Sequence, residues 1–131
     1  MIVYLSHSIR GSKGEAATPL DMKQNCDAAI VLGRALQKSF PSLEFYIPAY
    51  TEPFVQLAYQ LGFMSIRDIL GIDCDIISRC DAVIVYVPPG DTLQGGRLTE
   101  HDYAIAKQIP VCVFHEKSEV VDWLTHCILR S

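Results

Sequence analysis

Apolar runs alternate with stretches of helical spacing along this chain. Ile2–Ser6 is a short apolar run that gives way to a polar, glycine-containing stretch, His7–Gly14. This predicts a buried strand followed by a loop. Leu20–Phe40 places Cys26, Ile30, Gly33, Leu36 and Phe40 at helical spacing, bracketed by Pro19 and Pro41. Leu43–Ile47 is a second strand, ended by Pro48. Glu52–Leu61 carries Phe54, Leu57, Ala58 and Leu61 on one helical face, with Gly62 as its C-cap. Ser65–Arg79 is a third helical stretch, opened by Ser65 and Asp68 in a capping-box pattern and split or kinked at Gly71. Ala82–Val87 is a continuous β-branched run of the kind found where both faces of a strand are covered. The loop Pro88–Gly96 follows, then a helix over Arg97–Gln108, a strand over Val111–Phe114 and an amphipathic helix over Glu119–Leu129.

Strands alternating with helices predict an α/β fold. The expectation is one doubly wound, flavodoxin- or Rossmann-like parallel sheet of four to five strands, with helices on both faces. At 131 residues, against roughly 150 per domain, the chain is read as a single domain over 1–131. In such sheets ligands gather beyond the C-terminal strand ends. Here those ends are Ser6–Gly14, Pro48–Glu52, Pro88–Gly96 and His115.

Composition narrows the function classes. Half the residues are hydrophobic, which excludes disorder. Eleven basic against fifteen acidic side chains give a net charge of −4, which argues against binding nucleic-acid polymers. The longest apolar run, Ala82–Pro89, is far short of the ~20 residues that cross a bilayer. Met1–Leu5 lacks a basic signal-peptide region, so a cytoplasmic location is expected. The five cysteines show no CxxC spacing and the four histidines are scattered. Reduced, buried thiols are expected, with no metal and no cofactor.

Three segments carry candidate chemistry. In Ser8-Ile9-Arg10-Gly11 a strand end meets a hydroxyl, a guanidinium and a glycine, the elements of a phosphate cradle or of a solvated loop with a surface arginine. In Gly95-Gly96-Arg97-Leu98-Thr99-Glu100 a glycine pair opens a helix with Glu100 in its first turn. The helix dipole there favours an ionised carboxylate, whether as a nucleophile or merely as a complement to the dipole. Asp73 lies on a helix whose apolar face, with Ile69, Ile76 and Ile77, is core. Tyr50, just after a strand-ending proline, is either core or a stacking platform for a base.

Together these segments resemble the nucleoside 2-deoxyribosyltransferase superfamily. Tyr4 to Gly11 is similar to the opening of the 2′-deoxynucleoside 5′-phosphate N-hydrolases. Asp73, Ile77 and Asp81 match the Asp-x-x-x-Ile/Leu-x-x-x-Asp stretch before a branched strand. Gly96, Glu100 and Ala104 match the Gly-x-x-x-Glu-x-x-x-Ala element, and Pro110-Val111 the strand after it. The likeness runs from Met1 to Phe114 and is closest to small, often phage-encoded members, so a phage protein would work in the host cytoplasm. The resemblance implies Glu100 as nucleophile at C1′ of the sugar, Tyr4 beside it and Asp73 contacting the sugar or aiding the leaving base. It implies Ser8, Ile9, Arg10 and Gly11 as a 5′-phosphate loop. Gln94, Gly96, Arg97 and Tyr50 complete the expected ligand contacts. It also implies a homo-oligomer in which a neighbouring chain closes the pocket. Gln94 departs from the pattern, standing where the family has Asp or Ser; an amide can hydrogen-bond a base or phosphate but is no acid. The expected function is cleavage or transfer of the N-glycosidic bond of a nucleotide or nucleoside phosphate. The alternative is a non-catalytic protein that senses or sequesters a nucleotide-derived signal, such as a phage anti-defence sponge.

Overall fold

The computed structural model describes residues 1–129; residues 130 and 131 of the expected domain lie outside them. Four parallel strands form one sheet: β1 (Ile2–Ser6), β2 (Glu44–Tyr46), β3 (Ala82–Tyr86) and β4 (Val111–Phe114), in the order β2-β1-β3-β4. Tyr4 pairs with Val83 and Ser6 with Val85, so the two central strands end side by side. Successive side chains of a strand point to opposite faces. Val3 and Leu5 therefore pack with Ala82, Ile84 and Phe114 in one core. Tyr4 joins Val83, Val85 and Val87 in the other.

Helices cover both faces. α1 (Pro19–Ser39) and α5 (Lys117–Trp123) lie on the first, through Leu36 and Val120, with Leu124 joining just after α5. α3 (Ile66–Ile77) and α4 (Gly95–Ala106) cover the second, through Ile77 and Ala104. The expected α/β doubly wound architecture is thus present, with four strands. α2 (Glu52–Gln60) buries no residue completely, and Phe54 and Leu57 are exposed on it.

Local chemistry explains most boundaries. Thr18 and Asp21 close a capping box at the start of α1, with Pro19 in its first turn. Ser65 and Asp68 do the same for α3, and Gly71 neither splits nor kinks it. β2 is shorter than the Leu43–Ile47 expected. The last helix departs from its expected span: α5 ends at Trp123 and the chain continues as a wider π turn over Leu124–Ile128. Its apolar residues Val120, Leu124 and Ile128 are core. Only Cys26 of the five cysteines is buried; all five are free and Cys127 is exposed, which corrects the expectation of buried thiols throughout.

α4 starts two residues earlier than its apolar spacing indicates. The chain enters it through Gly95 at φ +63°, a left-handed value that favours glycine. Glu100 consequently lies beyond the first turn, which holds no acidic residue.

Candidate active site

The connection after β1 leads outward to β2, whereas β3 lies on the other side of β1. The crevice where strand order reverses is where ligands of such sheets bind. A cleft of about 550 Å³ opens there, within the range of small-molecule sites. Tyr4, Asp73 and Glu100 all line it, as do Ser8, Ile9, Arg10 and Gly11 of the turn after β1 and Gln94, Gly96 and Arg97 at the entry to α4. Elements distant in sequence thus bring most of the expected site together.

Glu100 is the centre of the arrangement. It is only 5% exposed. The Tyr4 hydroxyl donates to Oε2 at 2.5 Å and the Ser6 hydroxyl to Oε1 at 2.7 Å. Burial pushes its pKa up, and the two hydroxyl donors pull it back. This corrects the expectation that the helix dipole keeps Glu100 ionised: that effect fades within the first turn, and charge-assisted hydrogen bonds do the stabilising instead. The Tyr4 phenol is itself pushed far upward, by burial first and then by the charges of Glu100 and Asp73. It therefore stays protonated and remains a donor.

Asp73 reaches the same cleft from α3. Its pKa rises to about 7, through burial and then repulsion from Glu100 and Glu52. A carboxyl with that pKa holds a proton part of the time near neutrality and can give it up. Glu52, from the start of α2, is also pushed up by burial and accepts from Gln56 Nε2 at 2.6 Å.

The turn after β1 is braced. Gly11 N–H donates to Ser8 Oγ at 2.7 Å, and Asn25 Nδ2 donates to the Ile9 carbonyl at 2.9 Å. Arg10 is exposed at the cleft and its guanidinium has no ion-pair partner among the described residues. Gln94 makes no capping bond to α4, so the N–H groups of the first turn at Gly95 and Gly96 are left open beside it.

Two expected ligand contacts have other tasks. Arg97 is buried, and its guanidinium donates to the Tyr86 carbonyl (2.8 Å), Asp91 Oδ2 (3.0 Å) and the Thr92 carbonyl (3.1 Å). It holds the Pro88–Gln94 loop rather than offering a free charge. Tyr50 does not line the cleft: it is exposed, and its hydroxyl accepts from Arg34 Nε at 3.3 Å. Ser6, Glu52 and His7 escaped the sequence reading. Ser6 was legible in principle, because residues i and i+2 of a strand share a face and Tyr4 was already singled out. Glu52 stands at a strand-ending loop, another available signal. His7 lies in the strand-end segment Ser6–Gly14, and its Nε2 accepts from the Ala49 N–H at 3.1 Å.

Among the described residues no group of three or more His, Cys, Asp or Glu side chains could hold a metal ion. No helix among them is long and apolar enough to cross a membrane. The fold is that of doubly wound α/β proteins; beyond the fold, no family model, curated protein or solved structure gives a significant match to the chain.

Proposed function

We propose that this protein cleaves the N-glycosidic bond of a nucleoside or nucleoside monophosphate, with Glu100 as nucleophile. The observation that carries the reading is a buried carboxylate aligned by two hydroxyls in the wall of a ligand-sized cleft, with a second, partly protonated carboxyl lining the same cleft. Glycosidic cleavage passes through an oxocarbenium-like state that a carboxylate stabilises and then captures. In the first step Glu100 forms a C1′–O bond as the C1′–N bond breaks, and Asp73 supplies a proton to the departing base. In the second, water attacks C1′ and releases Glu100, while its proton returns to Asp73. A second base in place of water would give transfer.

Arg10, the Ser8–Gly11 turn and the open first turn of α4 support a 5′-phosphate at the mouth of the cleft. Exposed Phe54, Leu57 and Phe63 around α2 support a homo-oligomer, which light scattering would test.

The test is incubation with a panel of nucleosides and nucleotides, followed by chromatography for free base and for intact retained ligand. Release of base by the wild-type protein, lost in Glu100→Gln, is the expected result. If no substrate releases base, the glycosidase reading fails. Recovery of intact nucleotide would then favour the non-catalytic binder, whose grip Arg10→Ala should weaken.

A further inference from the structure

A second cleft, of about 340 Å³, lies on the other side of the turn after β1. His7, Ser8 and Gly11 line both clefts, so the two meet at the turn. One wall is α1, where Asn25, Ala28 and Ala29 fall on one helical face, and the small alanines leave room. The other wall is the loop Pro88-Pro89-Gly90-Asp91.

That wall is already formed. The Asp91–Arg97 ion pair is buried at both ends, Arg97 also holds the Tyr86 and Thr92 carbonyls, and Asp91 N–H donates to the Pro88 carbonyl at 3.0 Å. Among the described residues Asp91 is the only charged one lining the second cleft, and Arg97 neutralises it. The cleft therefore offers no free charge, only prolines, alanines, an aromatic ring and short polar groups. It suits a flat, uncharged group and is poorly matched to a phosphate. The charge for a phosphate is at the junction, where Arg10 and the Ser8–Gly11 turn lie.

The junction also holds a neutral imidazole. His7 is 8% exposed. Because its Nε2 accepts from Ala49, the neutral ring carries its proton on Nδ1, which is buried beside the Ser8 backbone. Burial drives its pKa down to about 4, so the ring is neutral near pH 7.

We propose that the site takes a 5′-linked dinucleotide: one nucleoside in the Glu100 cleft, the phosphates at the Ser8–Gly11 turn, and the second nucleoside in the neutral cleft between α1 and the Pro88–Asp91 loop. This rests on the glycosidase reading for the first cleft and adds the substrate class. A dinucleotide gains the second cleft's contacts, whereas a monophosphate leaves that cleft empty.

The test compares diadenosine 5′,5′-diphosphate with adenosine 5′-monophosphate, or the same pair built on whichever base the panel selects. Wild-type protein should show a KM for the dinucleotide roughly tenfold below that for the monophosphate. Ala28→Trp fills the second cleft from an exposed helix position and should bring the ratio of the two KM values close to one. Ala28→Ser, which adds little volume, should keep the wild-type ratio. A wild-type ratio near one, or a ratio unchanged by Ala28→Trp, overturns the dinucleotide proposal while base release leaves the glycosidase reading intact. If nothing is cleaved, that reading falls, and the same two ligands and variants are compared by calorimetry. Tighter dinucleotide binding abolished by Ala28→Trp still supports the two-cleft site, and equal binding overturns it.

Discussion

Burial as deep as that of Glu100 pushes a carboxyl toward its protonated form, and two hydroxyls oppose the push. Tyr4 and Ser6 each donate to one carboxylate oxygen, favouring the ionised form that a nucleophile requires. Removing the Ser6 donor should raise the Glu100 pKa further. A smaller ionised fraction then remains at any given pH, so the acid limb of kcat/KM should move to higher pH in Ser6→Ala. Loss of a hydrogen bond to a charged group should lower the neutral-pH rate roughly 10- to 100-fold. Ser6→Thr keeps the donor on a strand residue and should restore the profile. Carboxyl NMR titration of Glu100 checks the same shift without any substrate. An unchanged titration in Ser6→Ala would show that the hydroxyl merely fills space. At this scale residue type and place marked Glu100, whereas Tyr4 and Asp73 were singled out by the family resemblance; the fold brings all three to one cleft. The sequence could not reveal that Arg97 is spent on Asp91, because only the fold brings the Tyr86 and Thr92 carbonyls onto its guanidinium.

Between elements, close approach and loop anchoring matter more than propensity. A Cβ added at Gly33 of α1 would fall 2.1 Å from Ile47 Cδ1, where the helix crosses the chain just after β2. Gly33→Ala should cost about 1–3 kcal/mol by overpacking, measured by denaturant unfolding. Ile47→Val removes the Cδ1 atom that the added methyl group would meet, so the double variant should be less destabilised than the two single losses added together. Strict additivity would mean that α1 shifts as a body instead. Asp91→Ala leaves Arg97 as a buried, unpaired charge and should cost about 3–5 kcal/mol, visible in the same unfolding curves. The order of strands and helices was legible because the β-branched run at β3 and the helical spacing of α1 are long and unambiguous. The start of α4 was legible only in part. The glycine pair marks the opening of a helix, but it carries no apolar signal, so the periodic pattern begins at Arg97 although the backbone turns helical at Gly95. With Glu100 beyond the first turn, the groups that favour its ionised form are the Tyr4 and Ser6 hydroxyls rather than the helix dipole.

The whole molecule carries its acidic excess unevenly. Glu52, Asp73 and Glu100 share one cleft, and each has its pKa raised by burial first. A raised pKa means that the folded protein binds more protons than the unfolded chain between the two values. Stability should therefore fall as pH rises through that window. For Asp73 the window runs from an unfolded value of about 3.9 to about 7 in the fold. Surface carboxylates act in the opposite sense at lower pH. Asp21, Asp68 and Glu119 accept main-chain N–H bonds that lower their pKa, so their contribution is present above the unfolded value and lost as pH falls below it. His7 opposes the cleft carboxyls: its folded pKa of about 4 lies below the unfolded imidazole value, so its contribution to stability grows as pH rises toward about 6.5. Comparing wild type with Asp73→Asn near pH 5 and near pH 8 separates Asp73 from His7. Asp73→Asn cannot ionise, so its melting temperature should gain on that of wild type between pH 5 and pH 8. Thermal unfolding of both proteins at each pH checks this. An Asp73→Asn protein with the wild-type pH dependence would mean that Asp73 is already solvated in the folded chain.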